Sequence, residues 1–184
     1  MSRTKSPRNN RTARVPTGSV LAILSLGSNL EPRADYLKRA IAALSSLPET
    51  QFVKASSVIE TEPVDVPSEF AALKFLNQVA VFETALDPFD FSRRMHAIED
   101  DLGRVRTVRN GPRTIDIDLI DFGGQVIDTP ELTLPHPRAH LRPFVQEPLK
   151  ELGIQIDRGV AVDAAAAVLV YYASLIRWDG RAVR

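Results

Sequence analysis

Apolar and polar positions along this chain fall into two alternating rhythms, and the switches between them mark the elements. Val20-Leu21-Ala22-Ile23-Leu24-Ser25-Leu26 is almost continuously apolar and reads as a buried strand, which Gly27-Ser28-Asn29 interrupts. From Pro32 to about Leu47 the apolar residues recur at helical spacing, as Leu37, Ile41, Leu44 and Leu47. Gln51 to Thr61 is rich in β-formers and predicts a second strand. Two prolines between Glu62 and Glu69 predict a loop, and Lys74 to Thr84 a third strand. Asp87-Pro88 is a helix start, with the aspartate as cap and the proline in the first turn. That helix turns Phe91, Met95, Ile98 and Leu102 inward and stops at Gly103.

An arginine- and glycine-rich loop, Arg104 to Thr114, leads into a fourth strand over Ile115 to Phe122, which Gly123-Gly124 ends. A short pairing at Gln125 to Ile127 can follow. Thr129 to Pro143 holds four prolines and predicts irregular chain, and Phe144 to Leu152 and Val162 to Ile176 read as helices. The order strand, helix, strand, strand, helix, strand predicts an α+β fold: an antiparallel sheet with helices packed on it, in one domain over residues 20–184.

Composition narrows this picture. At 184 residues and 44% hydrophobic, the chain can bury one sizeable core. It has no cysteine, which excludes disulfides and thiolate metal sites and suits a cytoplasmic setting. No apolar run approaches the ~20 residues needed to span a bilayer. The charges sum to zero but are uneven: residues 1–19 hold Arg3, Lys5, Arg8, Arg11 and Arg14 and no acid, leaving 18 basic against 23 acidic residues beyond them. Such a stretch reads as a disordered basic tail; nucleic-acid contact and organellar targeting are its other readings.

The sharpest chemistry lies in Arg113-Thr114-Ile115-Asp116-Ile117-Asp118-Leu119-Ile120. On a strand, Ile115, Ile117 and Leu119 face one way, while Asp116 and Asp118 face the other with Cα atoms roughly 6 to 7 Å apart. Two carboxylates on one face repel unless a positive charge answers them. A hard cation such as magnesium suits that gap, because it takes oxygen ligands from one or two carboxylates and completes its shell with substrate phosphates. Arg104, Arg106, Arg109 and Arg113 precede that strand closely, and guanidinium groups grip phosphate oxygens in a fork. Their plainer role is to pair with the aspartates. No P-loop signature is present, so a nucleotide would bind by other means. Gly27-Ser28-Asn29 is a weak phosphate-loop candidate and more simply a strand-to-helix turn. Phe75 and Asn77 share a strand face, an aromatic plane beside an amide, which suits a flat heterocycle as well as ordinary packing. His136, Arg138, Arg142 and Phe144 cluster in and after the proline-rich loop.

These pieces fall in one order with a known pattern. Gly103-Arg104-Val105-Arg106 followed by Gly111-Pro112-Arg113-Thr114-Ile115-Asp116-Ile117-Asp118 closely resembles the signature of 6-hydroxymethyl-7,8-dihydropterin pyrophosphokinases. Leu26-Gly27-Ser28-Asn29-Leu30, Thr61 with Pro63, Phe75-Leu76-Asn77 and Leu132-Thr133-Leu134-Pro135-His136 support the match, which covers about residues 20–150. The resemblance implies a ferredoxin-like αβ sandwich that transfers pyrophosphate from ATP to the pterin alcohol in folate synthesis. Asp116 and Asp118 would hold two Mg2+ ions. Arg104 and Arg106 would assist transfer. Glu99, Arg113, Thr133, His136 and Arg142 match positions on the ATP side. Thr61, Pro63, Asn77 and the backbone around Val64 would bind the pterin, with Phe75 and Phe144 stacking on its two faces. The expected partners are small molecules, with neither nucleic acid nor membrane; the expected location is the cytoplasm, and a monomer is expected over an oligomer.

The chain departs from the pattern at Glu62 (proline in the family), His96 (glutamine), Glu131 (arginine), Pro137 (tyrosine) and Asn110 (tryptophan in some members). Two other readings stand beside the enzyme. One is an RNA-binding module of related topology, against which two aspartates on the functional strand would repel a phosphate backbone. The other is a non-catalytic pterin-binding relic, which would not be expected to keep both aspartates and the arginines.

Overall fold

The computed structural model describes residues 18–64, 66–105, 111–157 and 160–162. The basic stretch 1–17, the loop residues 106–110 with Arg106 and Arg109, and the helix expected over 163–176 lie outside them.

The expected order is present: β1 (Val20–Ser28), α1 (Arg33–Ser45), β2 (Thr50–Ala55), β3 (Ile59–Thr61), β4 (Phe75–Thr84), α2 (Pro88–Asp101) and β5 (Asp116–Phe122). After these come β6 (Ile127–Asp128), β7 (Thr133–Leu134), α3 (Pro143–Glu151), β8 (Gln155–Asp157) and β9 (Val160–Val162). The main sheet runs β2-β4-β1-β5, every pairing antiparallel, and β3 extends the β4 ladder beyond β2. This is the ferredoxin-like order.

The alternation of side chains divides the sheet into two apolar faces. Ala22, Leu24 and Leu26 of β1, Ala80 and Phe82 of β4, and Ile117, Leu119 and Phe122 of β5 pack against α1 and α2. Phe91, Met95, Ile98 and Leu102 meet them from α2, as their spacing predicts. On the opposite face Ile23, Val79, Val81 and Ile120 are covered by Val145 and Leu149 of α3. Leu119 and Phe122 can share a face because the β1–β5 register slips between Ile23 and Leu24: an extra residue in β5 resets the alternation. The helix α3 is only nine residues long and covers only part of its face. Continuing along the same face, Ser25 and Gly27 of β1, Phe75 and Asn77 of β4, and Asp116 and Asp118 of β5 open instead into a cleft.

Four local expectations need correction. The second strand is two, since the ladder of β2 ends at Ala55 and resumes with Ile59, with Ser56 to Val58 diverted between them. The pairing after Gly123-Gly124 starts two residues later, at Ile127, with Ile127 opposite Leu134 and Asp128 opposite Thr133. The proline-rich stretch accordingly contains β7 and a single 3-10 turn over Ala139–Leu141. Val162 ends a small hairpin of β8 with β9 and does not start a helix. No helix among the described residues is long and apolar enough to cross a membrane.

Candidate active site

The cleft spans about 610 Å³, counting the open solvent at its mouth, and has a charged half and a flat-sided half. In the charged half β5 presents Asp116 and Asp118, as alternation requires. Opposite them across the β1 ladder stand Gly27 and Ser25, so the smallest side chains face the carboxylates and leave the space before them open.

Each carboxylate is answered by guanidinium groups. Asp116 binds Nη2 of Arg104 and Nη1 of Arg113, both at 2.6 Å. Asp118 binds Nη1 of Arg142 at 2.7 Å, with Nε2 of His136 at 3.9 Å. Burial pushes the His136 imidazole below its ordinary value, although Asp118 opposes this. Its Nδ1 accepts the backbone N–H of Arg138, which leaves Nε2 as the protonated nitrogen toward Asp118. Arg104 is fixed from behind by Glu99, a fully buried carboxylate of α2 that also accepts the backbone N–H of Ile117 at 2.7 Å. A buried carboxylate is tolerable only with such partners.

Arg113 is set by the backbone. Its N–H donates to Oδ1 of Asn29 at 2.7 Å and its carbonyl accepts the Asn29 N–H at 3.3 Å, which ties the end of the arginine loop to the end of β1. Gly27-Ser28-Asn29 thus acts as a brace for that loop, closer to the turn than to the phosphate-loop reading.

In the flat-sided half, Phe75 and Phe144 supply aromatic faces, and Nδ2 of Asn77 donates to Oγ1 of Thr61 at 2.8 Å. Gly27 completes it: a Cβ there would lie 3.0 Å from Oδ1 of Asn77. The two halves touch through the arginines. The Arg113 guanidinium lies 5.7 Å above the Phe75 ring and that of Arg142 5.6 Å above Phe144.

The cleft therefore collects Thr61, Val64, Phe75, Asn77, Arg113, Asp116, Asp118, Arg142 and Phe144 from the expected set. Pro63 sits between two lining residues, Glu62 and Val64, and Arg104 and His136 reach the carboxylates from the sides. Glu99 lies behind the wall, and Thr133 is exposed on β7 with its hydroxyl 3.5 Å from the Thr129 carbonyl. Arg106 is outside the described residues. Ser25, Glu62 and Val66 also line the cleft; Glu62 is one of the departures from the family pattern, while Ser25 and Val66 carry no sequence signal, Ser25 being found only through its pairing with Asp118.

The donor set fits magnesium. Two hard oxygen ligands share a face before an open space, the kind of donor that magnesium takes in ones or twos beside substrate phosphates; no group of three or more His, Cys, Asp or Glu side chains able to hold a metal is found among the described residues.

Fold and cleft together define the class: a small αβ sandwich whose pocket sets paired carboxylates and arginines directly beside aromatic faces and an amide. The chain belongs to the 7,8-dihydro-6-hydroxymethylpterin-pyrophosphokinase (HPPK) family, whose profile matches residues 23–154. It is 39% identical over 138 residues to the 2-amino-4-hydroxy-6-hydroxymethyldihydropteridine pyrophosphokinase of Bacillus subtilis, covering 75% of this chain and 81% of the relative. The Pseudomonas aeruginosa protein of the same name is 39% identical over 129 residues, 70% of this chain and 78% of its own. Among solved structures, Plasmodium falciparum HPPK-DHPS with pteroate shares the fold at TM-score 0.57 and 14% identity. The match covers 86% of this chain but only 43% of that longer one.

Proposed function

We propose that this protein transfers pyrophosphate from ATP to 6-hydroxymethyl-7,8-dihydropterin, giving the pterin diphosphate and AMP in folate biosynthesis. The observation that carries the reading is that Asp116 and Asp118 open into the same cleft as Phe75, Asn77 and Phe144. A metal–triphosphate site and a slot for a flat heterocycle are thereby adjacent, as a direct transfer between the two requires.

The pterin lies between Phe75 and Phe144, with its polar edge on Asn77, Thr61 and the chain at Pro63 and Val64. Its hydroxymethyl oxygen attacks the β-phosphorus of ATP and gives up its proton to solvent, the bond from that phosphorus to the α–β bridging oxygen breaks, and AMP leaves with the electron pair. Asp116 and Asp118 would hold magnesium, two ions in this reading, which would neutralise charge on the phosphates. With the carboxylates so engaged, Arg113 and Arg142 turn to phosphate oxygens, which guanidinium binds in a fork. Thr133 and His136 complete the ATP side, with Glu99 holding Arg104 from behind, and Arg104 and Arg106 steady the charge that moves during transfer. The reading keeps a cytoplasmic monomer, with ATP and the pterin alcohol as its small-molecule partners.

AMP release from ATP, with and without the pterin alcohol, tests the proposal. Asp116→Asn and Asp118→Asn should each lower the rate at least about 100-fold, the scale of removing one electrostatic stabiliser, with circular dichroism unchanged. Wild-type rates in either variant would refute the metal assignment.

A further inference from the structure

The connector between β2 and β3 is bonded in two directions. Toward the sheet, Oγ of Ser56 accepts the Val79 N–H at 3.1 Å, and the Ser56 carbonyl accepts Nε2 of Gln78 at 2.6 Å. Toward the helix layer, Ser57 gives its backbone N–H to Oε1 of Glu151 at 2.8 Å and its hydroxyl to Oε2 at 2.6 Å. Next to this, Nζ of Lys54 donates to the Leu152 carbonyl at 2.8 Å, a cation on one of the helix's unsatisfied C-terminal carbonyls. Glu151 and Leu152 are the last residue and the C-cap of α3, whose other end carries Arg142 as N-cap and Phe144 in the first turn.

We infer that Ser57 and Glu151 form a positioning clamp that sets the width of the pterin slot by fixing the far end of α3 to the connector leading into β3. Neither residue touches the cleft. The inference rests on the functional reading above, because the slot between Phe75 and Phe144 matters only if a flat ring occupies it. One wall, Phe75, is paired across the β3–β4 ladder with Thr61, which follows Ser57 by four residues; the other, Phe144, rides on the helix that Glu151 terminates. A nine-residue helix is about 13 Å long, so a small tilt at its end moves the Phe144 ring on the scale of ångströms. Misplacement by about 1 Å is enough to weaken a site substantially. Arg142 escapes this lever because its longer side chain has more torsions with which to follow the phosphate it grips, whereas Phe144 has only two side-chain torsions and follows its backbone.

The test measures binding of hydroxymethyl dihydropterin to the full chain, with magnesium and a non-hydrolysable ATP analogue, by titration calorimetry. Glu151→Ala should weaken the pterin about tenfold and the analogue less than about twofold. Glu151→Gln keeps an acceptor for the Ser57 N–H and should retain most of the affinity. In a Phe144→Ala background, Glu151→Ala should add less than about twofold, since the lever then moves nothing. Unchanged pterin affinity in Glu151→Ala, or an equal loss in both backgrounds, would overturn the clamp while leaving the enzyme reading intact. Wild-type protein that binds no pterin would overturn the enzyme reading, and the clamp with it.

Discussion

Gly27 shows how much of the site depends on something missing from a side chain. Its backbone is ordinary strand, and the glycine is required by the neighbour: a methyl there would stand 3.0 Å from the Asn77 amide oxygen and 3.7 Å from the Phe75 ring. Asn77 would have to shift, and its bond to Thr61 would stretch. Gly27→Ala is therefore expected to weaken pterin binding by about five- to tenfold, roughly one lost hydrogen bond, with the melting temperature nearly unchanged; calorimetric titration beside a thermal melt checks both. At this scale the legible residues were those whose chemistry contradicts their element. Aspartates on an apolar strand are conspicuous, so Asp116 and Asp118 were readable from alternation alone. Asn29, Ser25 and Glu99 were not read this way, because each acts through a partner distant in sequence: Arg113, Asp118 across a ladder, and the Ile117 amide.

Elements were legible where periodicity and capping agreed. Asp87 accepts from the backbone N–H groups of Phe89 and Asp90 at 2.9 and 3.3 Å, with Pro88 behind it, and α2 begins there as expected. Asp87→Ala should cost about 1 kcal/mol, seen as a fall of about 2–4 °C in a calorimetric melt; an unchanged melting temperature would mean that packing of Phe91 and Met95 alone fixes the helix start. The boundaries that were misread have tertiary causes. Gln51 to Thr61 is β-forming throughout, yet the ladder breaks at Ser56, where the connector turns toward Glu151 of α3. The β6–β7 pairing closes around a turn in which Thr129 bonds Leu132 in both directions, and no apolar period announces it. Elements of two or three residues carry too little pattern to be seen before their partners are known.

Among the described residues the sheet is covered fully on one face and partly on the other, and the uncovered part is the cleft. Ligands that bind only this folded arrangement must stabilise it. ATP with magnesium at about 100 times its dissociation constant should add about 2.7 kcal/mol. That corresponds to a rise of about 5–10 °C in the melting temperature, which chelation of the metal should largely abolish; scanning calorimetry with and without chelator measures it. Another global consequence comes from the two anchors flanking the arginine loop. Arg104 is fastened to Glu99 and Asp116, and Arg113 to Asn29, so the stretch between them is tethered at both shores. Residues added to or lost from that stretch are expected to leave β5 in place. Evolution can thus retune how the loop meets its substrates while the acidic pair keeps its place, and a designer could exchange loop lengths here with the same freedom.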